Sequence, residues 1–381
     1  MTTLDDLPIR DDLRGRTPYG APQKSVPVAL NVNENTHPIP EDVAHDIVAR
    51  VAAAILSLNR YPDREFTQLR RALAAYLGHG LDADRIWAAN GSNEVLQHVL
   101  QAFGGPGRSV LGFSPTYSMY GLLASGTGTQ WITAGRDRDF ELSPETAVAA
   151  VREHDPDIVL LCAPNNPTGT PLSLETIAAV SDAARGIVVV DEAYVEFADP
   201  GTPSALSLLD GRPRLLVSRT MSKAFAFAGA RVGYLAADPA AIDALRLVRL
   251  PYHLSALTQA AALGALAHSD EMLAMVDEIR SQRERIVREL GALGYRPYRS
   301  GANFVLFGGV DDPHAVFEAL LDRGILIREI GLPGCLRVTA GTEAETSAFL
   351  EAIAVFAPAS TASPTSVPGR VDATSAPAAP E

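Results

Sequence analysis

The sequence predicts an α/β protein whose main domain is an open, mostly parallel sheet flanked by helices. Short apolar runs that end at turn residues recur along the chain, and such runs are typical of strands buried on both faces of a sheet. They cover residues 86–89, 109–113, 158–163, 187–190, 215–217 and 232–235. Helical patterns lie between them, which is the alternation that repeated βα units produce.

Two of these helical segments have clear local signals. Val95, Leu96, Val99, Leu100 and Phe103 form an apolar face at helical spacing, so a helix is expected directly after the first strand. A second helix is expected to begin at residue 143, where serine is followed by proline, since serine caps helices and proline suits their first position.

The length of 381 residues predicts two domains with extensions, because single domains usually hold about 100–200 residues. We expect an N-terminal arm and part of the small domain in 1–60, the large domain in 61–253 and the small α+β domain in 254–356. The small domain has a helical stretch at 254–291, strand candidates at 303–307, 325–328 and 336–339, and a helix at 313–321. Residues 357–381, with five prolines and few large apolar side chains, are expected to be disordered.

Charge and composition exclude several classes of protein. The 32 basic and 45 acidic residues give a net charge of −13, which disfavours binding to nucleic acid or to an anionic membrane. No apolar run reaches the roughly 18–20 residues of a membrane helix, and the N-terminus does not resemble a signal peptide. Two cysteines support neither a disulfide scaffold nor a metal cluster, so we expect a cytoplasmic protein without a metal.

Lysine is unusually rare in this chain. Only Lys24 and Lys223 are lysines, whereas the other 30 basic residues are arginines. Arginine keeps its proton at physiological pH, so a lysine is needed where a neutral, nucleophilic amine must form. Lys24 lies in a polar arm and is expected at the surface. Lys223 precedes an apolar stretch, and burial there would lower its pKa.

Three polar clusters follow successive apolar runs. Asn166 lies after the run at 158–163, Asp191 and Tyr194 after that at 187–190, and Ser222 with Lys223 after that at 215–217. Ligands of open α/β sheets bind beyond the carboxyl ends of the strands, so these side chains are expected to converge on one crevice. Each cluster alone is also compatible with ordinary turn residues.

A phosphate site is expected where Gly91 leads into the first helix. The backbone N–H groups of Ser92 and Asn93 would point at an anion near the positive helix end. Arg231, eight residues after Lys223, could add a guanidinium fork to the same anion, or else form a surface ion pair.

The motifs around these residues resemble the fold-type I pyridoxal-phosphate aminotransferases. The run at 218–234 resembles the lysine signature of that family, and Asn166-Pro-Thr-Gly and Asp191-Glu-Ala-Tyr are similar to its companion motifs. The resemblance extends to about residue 356 and is greatest to the actinobacterial histidinol-phosphate aminotransferases. That branch is indicated by Asn59-Arg-Tyr-Pro-Asp, Ala89-Asn-Gly-Ser-Asn-Glu, Ser114-Pro-Thr-Tyr-Ser-Met-Tyr and Gly334-Cys-Leu-Arg-Val-Thr.

The resemblance implies pyridoxal 5′-phosphate as cofactor and assigns its contacts. Lys223 would attach the cofactor and then shuttle a proton, while Asp191 would sit against the pyridine nitrogen. Asn166 and Tyr194 would donate to the phenolic oxygen, and Tyr117 would stack on the ring. The phosphate would be held by Ser92, Asn93, Thr220, Ser222 and Arg231.

The resemblance also implies a homodimer with shared active sites, because the counterpart of Tyr61 contacts the phosphate from the neighbouring subunit. Arg337, and with it Arg328, would bind the substrate's phosphate or carboxylate, and Tyr19 would line its imidazole end. A structural salt bridge is the alternative for Arg337. Residues 33–38 depart from a common family form, with Thr36 and His37 in place of proline and tyrosine, which leaves the breadth of substrates open.

The expected reaction is therefore transamination of L-histidinol phosphate with 2-oxoglutarate, giving imidazole-acetol phosphate and glutamate in histidine biosynthesis. An aromatic amino-acid aminotransferase would use the same machinery on phenylalanine. A lyase or decarboxylase of this fold, such as a relative of threonine-phosphate decarboxylase, is a further alternative. A transcription regulator built on the fold would carry an extra DNA-binding module. Because only about 60 residues precede the large domain and the net charge is acidic, this alternative is disfavoured.

Overall fold

A computed structural model describes residues 2–15, 20 and 22–358 of the chain. Its α-helices, in chain order, are α1 Glu41–Ile55, α2 Thr67–Leu77, α3 Ser92–Phe103, α4 Met119–Thr127, α5 Pro144–His154, α6 Leu174–Ala183, α7 Pro239–Val248, α8 Ala256–Ala267, α9 Ser269–Ala292, α10 Pro313–Asp322 and α11 Glu343–Ile353. Its strands are β1 Val28–Ala29, β2 Ile86–Ala89, β3 Ser109–Ser114, β4 Gln130–Gly135, β5 Ile158–Cys162, β6 Ile187–Asp191, β7 Leu215–Thr220, β8 Gly233–Ala236, β9 Arg296–Pro297, β10 Phe304–Gly308, β11 Ile325–Leu326, β12 Arg328–Glu329 and β13 Leu336–Thr339.

The largest sheet has seven strands in the order β2-β8-β7-β6-β5-β3-β4. Strands β7, β6, β5, β3 and β4 run parallel, and β8 is antiparallel to both of its neighbours. This confirms the predicted open, mostly parallel sheet flanked by helices. The sequence patterns did not indicate β4, because it is a half-exposed edge strand without an apolar run.

The centre of this sheet is buried on both faces. Every residue of β5 and β6 is buried, and both strands are almost entirely aliphatic. Helices on the two faces cover them and form the main core. Because β5, β6 and β7 are parallel neighbours, the loops that leave their carboxyl ends open at the same edge of the sheet.

The predicted helix signals are present. Val95, Leu96, Val99 and Leu100 are buried on one face of α3. The side chain of Ser143 accepts a hydrogen bond from the Thr146 backbone N–H and caps α5.

The C-terminal part of the chain forms a separate antiparallel sheet in the order β12-β13-β10-β9. The strand candidate at 325–328 is divided in two. Ile325–Leu326 pairs in parallel with β1 from the N-terminal segment, whereas Arg328–Glu329 pairs with β13. The domain limits given above stay predictions. Most of the tail that is expected to be disordered, from residue 359 onward, lies outside the described residues.

Within the described residues, no helix combines the length and the apolar character that crossing a bilayer requires.

Candidate active site

A cavity of about 620 Å³ lies at the carboxyl ends of β5, β6 and β7. It is lined by both the loops of the large sheet and the N-terminal segment 31–34. Twelve residues that sequence reasoning selected contribute to its wall, namely Ser92, Asn93, Tyr117, Asn166, Asp191, Tyr194, Thr220, Ser222, Lys223, Arg231, Arg328 and Arg337. The structure therefore brings together side chains that are separated by up to 245 positions in the chain.

Lys223 follows β7 and extends its amine into the cavity. Its Nζ donates to the backbone oxygen of Val32 at 3.0 Å. Burial, with a smaller contribution from the charge of Arg337, lowers the pKa of this amine to about 8. A substantial neutral fraction near physiological pH makes Lys223 able to attack a carbonyl carbon.

Asp191 is the last residue of β6 and is almost completely buried. Tyr120 donates to its Oδ2 at 2.9 Å, and Ser218, its neighbour on β7, donates to its Oδ1 at 3.2 Å. Burial raises the pKa of Asp191 to about 6, and these two hydrogen bonds oppose that rise. The carboxylate therefore carries its charge at neutral pH and can pair with a protonated nitrogen.

Tyr194 lies on the wall of the cavity and accepts hydrogen bonds from two amides. Asn33 Nδ2 and Asn166 Nδ2 lie 3.0 Å and 3.3 Å from its hydroxyl oxygen. Burial raises the pKa of this phenol, so that it keeps its proton. Tyr194 is thus available as a hydrogen-bond donor.

The first turn of α3 and Arg231 form a concave, donor-rich corner. A Cβ atom on Gly91 would lie only 2.3 Å from Nη2 of Arg231, and one on Gly233 would lie 2.1 Å from the backbone nitrogen of Ser92. Glycine is required at both positions because the backbone and the guanidinium approach so closely. Arg231 itself has a φ of 57°, in the left-handed region.

Hydroxyl groups from the loop after β7 complete this corner. Ser222 is held by Thr220, whose Oγ1 donates to Ser222 Oγ at 2.9 Å and accepts from the Ser222 backbone N–H at 3.1 Å. Backbone N–H groups at a helix start, hydroxyls and a guanidinium are the groups that bind phosphate in proteins. The residues present therefore fit a phosphorylated ligand.

Tyr117 presents its aromatic ring at the same cavity. Its hydroxyl donates to Asn93 Oδ1 at 3.3 Å, and its ring meets the edge of Tyr120 at a centroid distance of 5.5 Å and an angle of 87°. These contacts hold a flat apolar face beside the polar groups, which suits a planar ligand.

Two further arginines of the small antiparallel sheet line the cavity. Arg337 and Arg328 face each other across the antiparallel strands β13 and β12. Arg337 is 7% exposed and donates from Nη1 to Asn166 Oδ1 at 2.6 Å and from Nη2 to the Asn31 carbonyl at 2.8 Å. The pair can present guanidinium groups to a carboxylate or phosphate.

One predicted site residue of the described chain, Tyr61, is not part of this cavity. Its side chain is 80% exposed and stacks on Tyr252, with ring centroids 4.4 Å apart. Tyr19 lies outside the described residues.

Sequence reasoning missed three polar residues of the site. Asn33, Tyr120 and Ser218 contact Tyr194 or Asp191 through their side chains. Tyr120 and Ser218 stand inside motifs that were recognised for other residues, so a search of those motifs for further donors could have found them. Asn33 stands at the start of the 33–38 segment, which was compared with a family form, but its contact with Tyr194 spans 161 positions of the chain and has no local signal.

Comparison with known proteins gives a consistent result. A family model described as aminotransferase class I and II matches residues 26–353. The histidinol-phosphate aminotransferase of Paenarthrobacter aurescens is 63% identical over 356 residues, which cover 93% of this chain and 96% of that protein. That of Thermobifida fusca is 58% identical over 351 residues, covering 92% and 96%.

Among solved structures, the histidinol-phosphate aminotransferase of Sinorhizobium meliloti in complex with pyridoxal-5′-phosphate is similar to this chain. The two superpose with a TM-score of 0.79 at 27% identity, over 87% of this chain and 91% of the other.

Proposed function

The chain belongs to the class I and II aminotransferase family, and on that basis we propose that it transfers the amino group of L-histidinol phosphate to 2-oxoglutarate. The products are imidazole-acetol phosphate and glutamate, and the reaction is a step of histidine biosynthesis. The two relatives described above are named histidinol-phosphate aminotransferases, which supports the proposed amino donor. The observation that carries the proposal is that Lys223, Asp191 and Arg337 line a single cavity.

The proposed cofactor is pyridoxal 5′-phosphate, which this family uses. When bound, it supplies an electron-accepting ring that stabilises negative charge at the substrate Cα. The donor-rich corner fits its phosphate, with Ser92, Asn93, Thr220, Ser222 and Arg231 as ligands. The flat face of Tyr117 fits its ring.

Lys223 is proposed as the residue that attaches the cofactor and then takes and returns the proton of the substrate Cα. Its lowered pKa favours both roles, because a neutral amine is a nucleophile and a base. Asp191 is proposed to pair with the pyridine nitrogen, and its two hydrogen-bond donors keep the carboxylate oriented. Asn166 and Tyr194 are proposed to donate to the phenolic oxygen.

Arg337 is proposed to bind the oxyanion of each substrate in turn, assisted by Arg328. One substrate carries a phosphate and the other carries carboxylates, and a guanidinium can form paired hydrogen bonds with either group. The two arginines line the same cavity as the Lys223 amine, so the oxyanion and the reacting amine of one substrate would share a single site.

The proposed active form is a homodimer. Tyr61 is far more exposed than a folded monomer usually leaves a tyrosine, and other large apolar side chains are exposed as well: Ile55, Leu56, Leu58, Leu247, Leu250 and Tyr252. If these side chains were buried against a second copy, Tyr61 would contact the phosphate corner of the partner subunit. Tyr19, the residue proposed for the imidazole end, would complete the substrate site.

The proposed location is the cytoplasm. Both cysteines, Cys162 and Cys335, are free thiols, which is typical of proteins from a reducing compartment. The proposed substrates are small charged molecules, in agreement with this location.

Steady-state kinetics of the purified protein, loaded with pyridoxal phosphate, test the substrate. We expect kcat/KM for L-histidinol phosphate, with 2-oxoglutarate as acceptor, to exceed that for phenylalanine by at least about 100-fold. A preference for phenylalanine would identify an aromatic amino-acid aminotransferase instead. Release of CO₂ without an oxo acid would identify a decarboxylase.

A further inference from the structure

The hydroxyl of Tyr194 lies between two side-chain amides that come from distant parts of the chain. Asn166 belongs to the loop after β5, and Asn33 belongs to the N-terminal segment. Both amides place their nitrogen toward the hydroxyl oxygen, at 3.3 Å and 3.0 Å.

Independent contacts determine which end of each amide faces Tyr194. Arg337 approaches Asn166 Oδ1 at 2.6 Å, and because a guanidinium can only donate, the oxygen of this amide must face it. Thr339 Oγ1 accepts from the Asn33 backbone N–H at 3.1 Å, and among the described residues the acceptor for its own proton is Asn33 Oδ1 at 3.3 Å, so the oxygen of this amide faces Thr339. In both cases the nitrogen is left to face Tyr194.

Two donors therefore occupy the acceptor capacity of the Tyr194 oxygen, and its own proton has to point elsewhere. The side chain is 5% exposed, and Phe304 packs edge-on against the ring at a centroid distance of 5.2 Å. Among the described residues, no side chain or backbone oxygen accepts a hydrogen bond from this hydroxyl. The cavity is the remaining direction.

We infer that Asn33 is a positioning residue that makes Tyr194 a donor toward the cofactor's phenolic oxygen, an inference that rests on the proposed function. Asn166 alone would leave one lone pair of the hydroxyl open, and the tyrosine could then turn its proton away. With Asn33 in place, donation into the cavity is the arrangement that satisfies every group.

The backbone around Asn33 supports this role. Its φ of 57° lies in the left-handed region, which asparagine tolerates better than most residues. Its carbonyl accepts from Asn303 Nδ2 at 3.1 Å, so the segment is held to β13 and to the start of β10 from both sides. An aspartate would have nearly the same shape at this position, but its carboxylate would accept a hydrogen bond from Tyr194 where the asparagine amide donates one.

The test is a pH titration of the visible absorption band of the holoenzyme. Donation to the phenolic oxygen disfavours protonation at the neighbouring nitrogen that joins the cofactor to Lys223. In Asn33→Asp the Tyr194 hydroxyl should donate to the new carboxylate and no longer to the phenolic oxygen. We expect the apparent pKa of the nitrogen that joins the cofactor to Lys223, read from the absorption band, to rise by about one unit or more.

Two controls separate this effect from the added charge. Asn31→Asp places the same charge two residues earlier on an amide that donates to the Pro22 carbonyl at 2.9 Å, so its shift should be smaller. In a Tyr194→Phe background, Asn33→Asp should shift the band no more than Asn31→Asp does. Thr339→Val removes the hydroxyl that orients the Asn33 amide, so it should also raise the apparent pKa of the band. This variant replaces Asn33→Asp in the test if the aspartate variant does not bind pyridoxal phosphate.

Equal shifts for Asn33→Asp with and without the tyrosine hydroxyl would overturn the inference, as would an unchanged band in both the Asn33→Asp and Thr339→Val proteins. A wild-type protein that gains no visible band with pyridoxal phosphate would contradict the proposed function as well. A normal wild-type band with no effect of the variants would overturn the role of Asn33 alone.

Discussion

The hydroxyl of Tyr120 donates to Oδ2 of Asp191 at 2.9 Å, and the Tyr120 side chain has no exposed surface. Its ring also meets that of Tyr117 edge-on. One buried side chain thus holds both the carboxylate proposed for the pyridine nitrogen and the aromatic ring proposed for the face of the cofactor.

Removing this hydroxyl should change the acidic limb of the pH–rate profile. Burial already raises the pKa of Asp191 to about 6, and Tyr120 is the largest opposing influence. In Tyr120→Phe the carboxyl should therefore bind its proton more tightly, and the acidic limb of kcat/KM should move up by about one pH unit. Because phenylalanine keeps the ring, the melting temperature should change little. A profile that stays in place would show that the hydroxyl does not tune Asp191.

Lys223→Ala should abolish turnover while the fold is retained. Loss of the attacking amine and of its proton transfer should lower kcat by at least about 10³-fold. The matched control is Lys24→Ala, since Lys24 is the chain's other lysine and is exposed. Borohydride reduction followed by mass spectrometry should locate the cofactor on Lys223 in the wild type and in Lys24→Ala. Full activity of Lys223→Ala would contradict the assignment.

Gly91→Ala should weaken binding of the cofactor. The added Cβ would lie 2.3 Å from Nη2 of Arg231, and the φ of 87° at Gly91 disfavours any side chain. We expect the dissociation constant of pyridoxal phosphate to rise at least about tenfold, because displacement of Arg231 removes a charged hydrogen-bond donor. Gly126→Ala is the control, since its Cβ would meet nothing within 4 Å and the position is helical. Equal affinities for the two variants would argue against the proposed phosphate corner.

A buried ion cluster beside the site should make stability depend on pH. Arg219 pairs with Glu192 at 2.8 Å and lies 3.8 Å from Glu196, and all three side chains are nearly buried. Burial raises the pKa of Glu196 to about 6 from its ordinary 4.5, although Arg219 opposes the rise. The folded state therefore binds more protons than the unfolded state between these values, so Glu196 contributes less stability as pH rises through that window.

Glu196→Gln should remove this dependence. As pH rises from 4.5 to 6, the wild type loses the contribution of Glu196 and the variant does not. The difference in free energy of unfolding, variant minus wild type, should therefore increase by about 1–2 kcal/mol over this range. Glu192→Gln is the comparison, because Glu192 accepts hydrogen bonds from Ser204, from the Ala205 backbone and from Arg219. It should be destabilised by about 1–3 kcal/mol throughout this range. Urea titrations of the wild type and both variants at several pH values would measure these free energies. An equal pH dependence in the wild type and Glu196→Gln would contradict the role of Glu196.

Much of the large sheet could be predicted from the sequence because its central strands are buried on both faces. Such strands are apolar throughout, and the polar residues that follow them, such as Asn166, Asp191 and Lys223, stand out by contrast. The order of parallel neighbours then brought these residues to one edge of the sheet. Local patterns were sufficient for these three residues because each lies within four positions of the end of the strand that positions it.

Features that depend on tertiary contacts were beyond such patterns. Asn33 meets Tyr194 only because the N-terminal segment crosses the site, and β4 is a half-exposed edge strand. The division of 325–328 into two strands follows from pairing with β1 on one side and with β13 on the other, and neither partner is adjacent in sequence.

The hydrogen bond from Arg337 to Asn166 has a consequence for attempts to change the substrate specificity of the enzyme. Arg337, which we propose to bind the substrate's oxyanion, is hydrogen-bonded to Asn166, and Asn166 contacts Tyr194. Asn33 connects Tyr194 in turn to Thr339, on the same strand as Arg337. If these proposals hold, replacing the arginine to accept a neutral amine would disturb the colour and reactivity of the vitamin together with the choice of substrate. Libraries that vary position 337 alone should yield few active clones, and co-variation with position 166 should recover more.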